Sequence, residues 1–302
     1  MITGHESAIN HAVLLTLANF NAHRIAALEG IDELIHTKDI KYFNYQAGRD
    51  FNTDTSVIQT YRSKIETQFN AFKHNLHAIS RKDEKYPDSL KSLPGSPLVL
   101  YCRGNLNLFK GKTIAIVGSR AATDKGLRRS KKLSRLLSRA GHTIVSGLAR
   151  GIDTMAHLGA LEEGGQTIAV IGTPPDRSHP RENRQLQEQI ATDHLLVSQF
   201  FIGQPMARAN FAIRNYITSG ISKATVVVEA GEGGGTLIQA KQCMKQGRHL
   251  FLLKSLVDRT DLTWPKKFVK KGAFVLSSLE DVAKAMSQAP DYGRPEKEQT
   301  LF

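Results

Sequence analysis

Thr113-Ile114-Ala115-Ile116-Val117-Gly118-Ser119-Arg120 is an apolar, β-branched run that stops on a glycine, a hydroxyl and an arginine. A run without polar alternation belongs to a strand covered on both faces, which is the mark of a parallel sheet with helices on each side. The same unit recurs downstream. Apolar runs at residues 142–145, 167–171, 194–197, 224–228 and 249–253 alternate with helix-compatible stretches at 124–140, 153–163, 184–191, 211–219 and 236–246. Strands alternating with helices predict an α/β fold built on a doubly wound, mostly parallel sheet.

Ligands of such sheets sit beyond the carboxyl ends of the strands, where loops and helix N-termini present unpaired N–H groups. Three of those loops combine glycine with a polar group: Gly118-Ser119-Arg120, Ser146-Gly147-Leu148-Ala149-Arg150-Gly151-Ile152-Asp153, and Glu229-Ala230-Gly231-Glu232-Gly233-Gly234-Gly235-Thr236. Glycine admits close backbone approach, a hydroxyl can donate to a phosphate oxygen, and arginine can grip that oxygen with a bidentate fork. Gly118, Ser119, Arg120, Ser146, Gly147, Arg150, Gly151, Gly233, Gly234, Gly235 and Thr236 are therefore the expected phosphate-binding residues. Asp153, opening a helix, is expected to act as its N-cap, and His157 as a packing residue.

The chain of 302 residues holds 41 Lys+Arg against 28 Asp+Glu, a net charge of +13 that calls for a polyanionic partner. The excess is concentrated. Residues 110–150 contain eleven Lys/Arg and a single acid, Asp124. Leu133, Leu136, Leu137 and Ala140 mark a buried stripe by helical spacing, which sends Lys125, Arg128, Arg129, Lys132 and Arg139 to the open side as a phosphate-backbone track. No apolar run is long enough to cross a membrane and no secretory signal opens the chain, so a cytoplasmic protein without a membrane partner is expected. Cys102 and Cys243 are far apart and read as reduced, buried small hydrophobes. The scattered histidines show no metal-ligand spacing, so no metal is expected. There is no P-loop, nucleophile elbow or Gly-x-Gly-x-x-Gly after the first strand; no cofactor and no catalytic residue are expected.

Residues 1–80 read as a small all-α module, whose Leu28-Glu29-Gly30-Ile31 turn reads first as an ordinary turn between short helices, with a helix-hairpin-helix or SAM-like arrangement as the alternative. Proline-punctuated extended structure then leads into the α/β domain, set at 81–287, and residues 288–302 read as a disordered tail.

Ile116-Val117-Gly118-Ser119-Arg120, the Ser146 to Asp153 motif with Ala156-His157 and Ala160-Leu161, and Arg214-Asn215 together resemble the signature stretches of the DNA-processing protein A (DprA/Smf) family. The resemblance runs in order from about Tyr86 to Leu279 and takes in Lys85-Tyr86-Pro87-Asp88-Ser89-Leu90 and the Glu229 to Ile238 glycine turn. It implies an extended Rossmann-like fold that binds single-stranded DNA, with Arg214 and Asn215 joining the site. It also implies a homodimer, a RecA-type recombinase as partner, and work in DNA recombination and natural transformation without catalytic turnover. Phe268, Val269 and Phe274, near the far end of the sheet, would offer apolar surface to a dimer.

The chain departs from that family at Tyr216-Ile217-Thr218-Ser219-Gly220-Ile221-Ser222, at Ser198-Gln199 and at Leu253-Lys254-Ser255-Leu256, all near the cleft. A rival reading is open as well. Gly233-Gly234-Gly235-Thr236 resembles the turn of lysine-decarboxylase-like phosphoribohydrolases, which would make the chain an enzyme or sensor for a nucleotide-derived small molecule. That chemistry needs a carboxylate beside the turn, and Leu237, Ile238 and Gln239 follow instead. The balance favours single-stranded DNA.

Overall fold

The computed structural model describes residues 2–72 and 74–287. Ten strands make one sheet: β1 (Ile2–Thr3), β2 (Leu76–Ser80), β3 (Val99–Gly104), β4 (Lys112–Val117), β5 (His142–Ser146), β6 (Thr167–Val170), β7 (Leu195–Ser198), β8 (Ala224–Val227), β9 (His249–Leu253) and β10 (Phe274–Leu276). Their spatial order is β1-β2-β3-β7-β6-β5-β4-β8-β9-β10. β3 is antiparallel to β2 and β7, and all other pairs are parallel. The predicted doubly wound sheet is present, with each of the six expected parallel strands in place.

Residues 5–71 supply α1 (His5–Leu17), α2 (Ala22–Ala26), α3 (Ile31–His36), α4 (Ile40–Phe51) and α5 (Thr55–Ala71); then come α6 (Asp88–Lys91), α7 (Asp124–Arg139), α8 (Ile152–Glu162), α9 (Arg184–Asp193), α10 (Asn210–Gly220), α11 (Gly235–Lys245), α12 (Lys254–Val257), α13 (Trp264–Lys270) and α14 (Leu279–Met286). The missing polar alternation in β4 follows from its neighbours. Ile114 and Ile116 pack with Leu133 and Leu137 of α7, Ala156 of α8 and Val282 of α14, whereas Ala115 and Val117 enter a second core with Ile217 of α10, Ala240 of α11 and Phe268 of α13. Both faces of β4 are buried, so both sets of side chains must be apolar.

The first 71 residues are largely helical as expected, and Gly30 makes the turn into α3 with φ 67°. Their core is shared with the sheet: Ile9, Val13, Phe43 and Phe69 pack with Leu76 and Ala78 of β2 and with Val99 and Tyr101 of β3. The expectation of helix through Ser80 fails at its end, where Leu76–Ser80 is a strand. Register with β3, Ile79 opposite Leu100 and Ala78 opposite Tyr101, sets that conformation, so tertiary pairing overrides local pattern. At the opposite end, Phe268 packs edge-on against Trp264 at 5.4 Å between centroids, and Phe274 lies 5.4 Å from Phe251. Phe268 is buried and Val269 and Phe274 are half-buried, so these three form no exposed apolar patch; the drive to cover their own sheet end consumes that surface.

No helix among the described residues is long and apolar enough to cross a membrane. Cys102 and Cys243 are free and buried, and burial pushes the Cys243 thiol up to about 12. The tail at 288–302 lies outside the described residues.

Candidate functional site

The chain winds from β4 out through β5 to β7, then returns to the other side of β4 to lay down β8 and β9. The switch point is the gap between β4 and β8, and their register, Val117 opposite Val227, brings the two carboxyl ends level. Gly118-Ser119-Arg120 and the glycine loop that begins at Glu229 therefore meet where ligands of open α/β sheets bind. Ser119 N donates to Glu229 O at 2.8 Å, and Ile152 N donates to Ser119 O at 3.3 Å. All three sequence-predicted loops are thus brought together.

Within this crest the glycine loop is open. A Cβ at Gly231, Gly233 or Gly234 would meet nothing within 4 Å, and Gly234 adopts φ 94°, ψ −171°, a conformation closed to other residues. α11 starts at Gly235 with no side-chain cap, leaving first-turn N–H groups and the positive end of the helix dipole at the loop. Opposite, exposed Arg120 holds its guanidinium carbon 5.6 Å from the centroid of the Phe211 ring. Phe211 carries no signal in the sequence that singles it out. It lies at the start of α10, and only the fold places it beside Arg120.

Other expected ligands lie beneath the crest. Ser146 is fully buried and its hydroxyl donates to Ile116 O at 2.6 Å. Ser119 Oγ accepts from Ala121 N at 3.1 Å, shaping its own turn. Arg214, 5% exposed, donates to Gly147 O and, at 2.7 Å, to Val170 O, while its Nε donates to Asn215 Oδ1 at 3.2 Å. The expectation that Arg214 faces the ligand is corrected, because the carbonyls of Gly147 and Val170 hold its guanidinium inward, whereas the Asn215 amide lies beside Gly235. Gly147 is where it is because any Cβ there would run into that guanidinium.

Asp153 is also relocated. Gly151 is the N-cap of α8; Asp153 sits inside the helix, 6% exposed, accepting from Ala149 N at 3.4 Å. Burial raises its carboxyl above the usual range, against the pull of the nearby Arg214 charge. His157, fully buried, hydrogen-bonds through Nδ1 to Thr167 Oγ1 at 2.7 Å, and burial lowers it to about 3. Arg150 is exposed and paired with Glu182, a carboxylate from the segment before α9.

α7 starts beside the glycine loop, because Thr123, its N-cap, donates from N and Oγ1 to Glu229 at 2.8 and 2.7 Å. The buried stripe comprises Gly126, Ser130, Leu133, Ser134 and Leu137. Leu136 is only half-buried and Ala140 is exposed, because α7 packs instead through Ser130 and Ser134, whose hydroxyls donate to Ile152 O and Ala156 O of α8, and through Gly126, which lies against Glu229. Lys125, Arg128, Arg129 and Lys132, at i, i+3, i+4 and i+7, form one exposed stripe with no ion pair among the described residues. Arg139 departs from the expected track, since it and Arg135 pair with Glu163. No group of His, Cys, Asp and Glu able to hold a metal occurs among the described residues.

A mostly parallel, doubly wound sheet with glycine loops converging at its switch point defines a Rossmann-like α/β protein. The DNA recombination-mediator protein A family matches residues 77–287, and the chain belongs to that family. It is 37% identical over 205 residues to DNA processing protein DprA of Streptococcus pneumoniae, covering 68% of this chain and 72% of that protein. It is 34% identical over 227 residues to DprA of Bacillus subtilis, covering 74% and 76%. The structure of the Streptococcus pneumoniae protein superposes with a TM-score of 0.67 over 93% of this chain and 95% of that one, at 30% identity. That of DNA processing protein A from Helicobacter pylori, described for its single-stranded DNA binding mode, gives 0.62 over 71% and 97%, at 25% identity.

Proposed function

We propose that this chain binds single-stranded DNA non-catalytically along the carboxyl edge of its sheet. The observation that carries the reading is the Arg120–Phe211 pair at the mouth of the open glycine loop, which puts a phosphate ligand and a base platform at one point. An aromatic ring can stack on an unpaired base but not on one held inside a duplex. The unneutralised stripe Lys125, Arg128, Arg129 and Lys132 continues from that point as a backbone track. Gly233, Gly234, Gly235 and Thr236 supply backbone approach, Gly118 and Gly151 let the three loops pack on one another, and Arg120 and Arg150 supply charge. Ser119, Ser146, Gly147, Arg214 and Asn215 hold the loops in shape.

The role extends by family kinship to protecting strands in the cytoplasm and delivering them to a RecA-type recombinase, as a homodimer, in recombination, DNA uptake or the response to foreign DNA. The binding function is assigned to the 81–287 unit. Anisotropy titrations with single-stranded DNA, duplex DNA and a nucleoside monophosphate at several salt concentrations test the binding. Single strands should be preferred, with a log–log salt slope of about −0.7 for each phosphate engaged. Equal affinity for duplex, or an affinity indifferent to salt, contradicts the reading. Sedimentation at micromolar protein should show dimers with and without DNA; a persistent monomer removes that part.

A further inference from the structure

Two helices hang from the glycine loop by the same device. Thr123, the N-cap of α7, donates through its N–H and hydroxyl to the two oxygens of Glu229. Thr263, the N-cap of α13, does the same to Glu232, its N–H at 2.9 Å from Oε2 and its hydroxyl on Oε1. α13 is held further by Trp264 Nε1 donating to Gly231 O at 2.8 Å, and the preceding segment by Arg259 Nη1 donating to Ala230 O at 3.4 Å. The helices lie on opposite faces of the sheet, since Leu133 and Leu137 pack with Ile114 and Ile116, whereas Trp264 and Phe268 belong to the core of Ala115 and Val117.

The two share a charge pattern as well as an anchor. α13 and its end read Trp264-Pro265-Lys266-Lys267-Phe268-Val269-Lys270-Lys271, and residues 262–279 contain no acid. All four lysines are exposed, and none forms an ion pair among the described residues. The neighbouring carboxylates are engaged: Asp258 by Lys254, Asp261 by Arg259, and Glu232 by Thr263. With Phe268 turned into the core, the lysines bracket it on the outer side, a compact cluster of point charges that suits phosphates without regard to base.

We infer that α13 is a second backbone-binding surface for single-stranded nucleic acid, so that a bound strand is gripped on both sides of the glycine loop, by α7 on one and by Lys266, Lys267, Lys270 and Lys271 on the other. The inference rests on the single-stranded DNA reading and extends it. An acidic protein would also be attracted by four lysines, but only a chain that reaches the glycine loop makes use of an anchor on that loop.

The test compares the parent with a variant carrying Lys266→Ala, Lys267→Ala, Lys270→Ala and Lys271→Ala, using labelled oligothymidylates of about 6 and about 20 nucleotides, lengths that bracket usual single-strand site sizes. Trp264, the only tryptophan, reports on α13 directly through its emission. The variant should keep the parent's far-ultraviolet dichroism and unliganded Trp264 emission. It should bind the long strand roughly tenfold more weakly, with the salt slope reduced by about 0.7 for each phosphate that the lysines no longer engage, and the short strand almost as before. Trp264 emission in the parent should change with the long strand. If the parent binds the long strand in a salt-dependent way while the variant matches it in affinity and slope, and Trp264 stays silent, α13 lies outside the track. A parent that binds neither strand overturns the underlying reading, and this inference with it.

Discussion

Three arginines around the cleft end in three electrostatic situations, and each predicts a different phenotype. Arg120 is exposed and, among the described residues, unpaired by acid, with Phe211 beside it. Arg120→Ala should weaken single-strand binding roughly tenfold, the worth of one charge-assisted bidentate contact, while leaving the melting temperature unchanged. Arg150 is shared with Glu182, both strongly exposed, so a phosphate must displace that carboxylate. Glu182→Gln should then raise affinity by roughly two- to fivefold, as expected for release of an exposed ion pair. Unchanged affinity in Glu182→Gln and Arg150→Ala alike would remove Arg150 from the site. Arg214→Ala should instead cost about 3 kcal/mol in urea unfolding, because it orphans the buried carbonyls of Gly147 and Val170 and leaves Asp153 without its cationic neighbour. Gly-Ser-Arg was legible because it is one of three loops that combine glycine with a polar group at strand ends, where a single such turn would say little. The inward turn of Arg214 was not, since it depends on carbonyls 67 and 44 residues away.

At the scale of elements, α7 carries two basic stripes with different partners. Lys131, Arg135 and Arg139, four residues apart, meet Glu162 and Glu163 at the end of α8, whereas Lys125, Arg128, Arg129 and Lys132 face solvent. Arg128→Glu with Lys132→Glu should lower single-strand affinity by at least roughly tenfold at low salt and flatten the salt slope, while Arg135→Gln with Arg139→Gln should leave both nearly unchanged. Equal losses from both pairs would mean that the whole helix acts only through its net charge. The basic character of α7 was plain from residues 110–150, but the division into stripes was hidden, because the acids that neutralise one of them sit on the next helix. The parallel strands were legible for the converse reason, that burial on both faces leaves a local apolar run. Leu76–Ser80 carries too short a run, with a histidine at its second position, and becomes a strand only through pairing with β3.

For the molecule as a whole, the decisive question is whether the N-terminal helices and the α/β sheet unfold together, and two buried histidines can answer it. His11, on α1, hydrogen-bonds to Tyr101 Oη at 2.9 Å in the core shared with β3, and His157 lies under the cleft on α8. Burial lowers both from 6.5 to about 3. A group whose folded value is depressed in this way is neutral in the native state and protonated on unfolding, so the unfolded chain binds more protons between those limits. The stability each contributes is complete above pH 6.5 and declines as pH falls towards 3. Well inside that window the pair should make unfolding free energy fall by about 2.7 kcal/mol per pH unit, about 1.4 from each. Asp153, raised by burial, works in the opposite sense, which makes comparison with single variants necessary. Because β1, β2 and β3 are ladder-paired into the same sheet as β4 to β10, both histidines should act on one transition. His11→Gln should reduce the slope of that transition by about 1.4 kcal/mol per pH unit, and so should His157→Gln. Urea unfolding followed by far-ultraviolet dichroism and by Trp264 emission, measured between about pH 4.5 and about pH 5.5, well inside that window, checks this, since Trp264 lies at the sheet's far end from His11. Two separated transitions, with His11→Gln altering only the one that Trp264 does not report, would show that the helical segment unfolds independently despite its shared core.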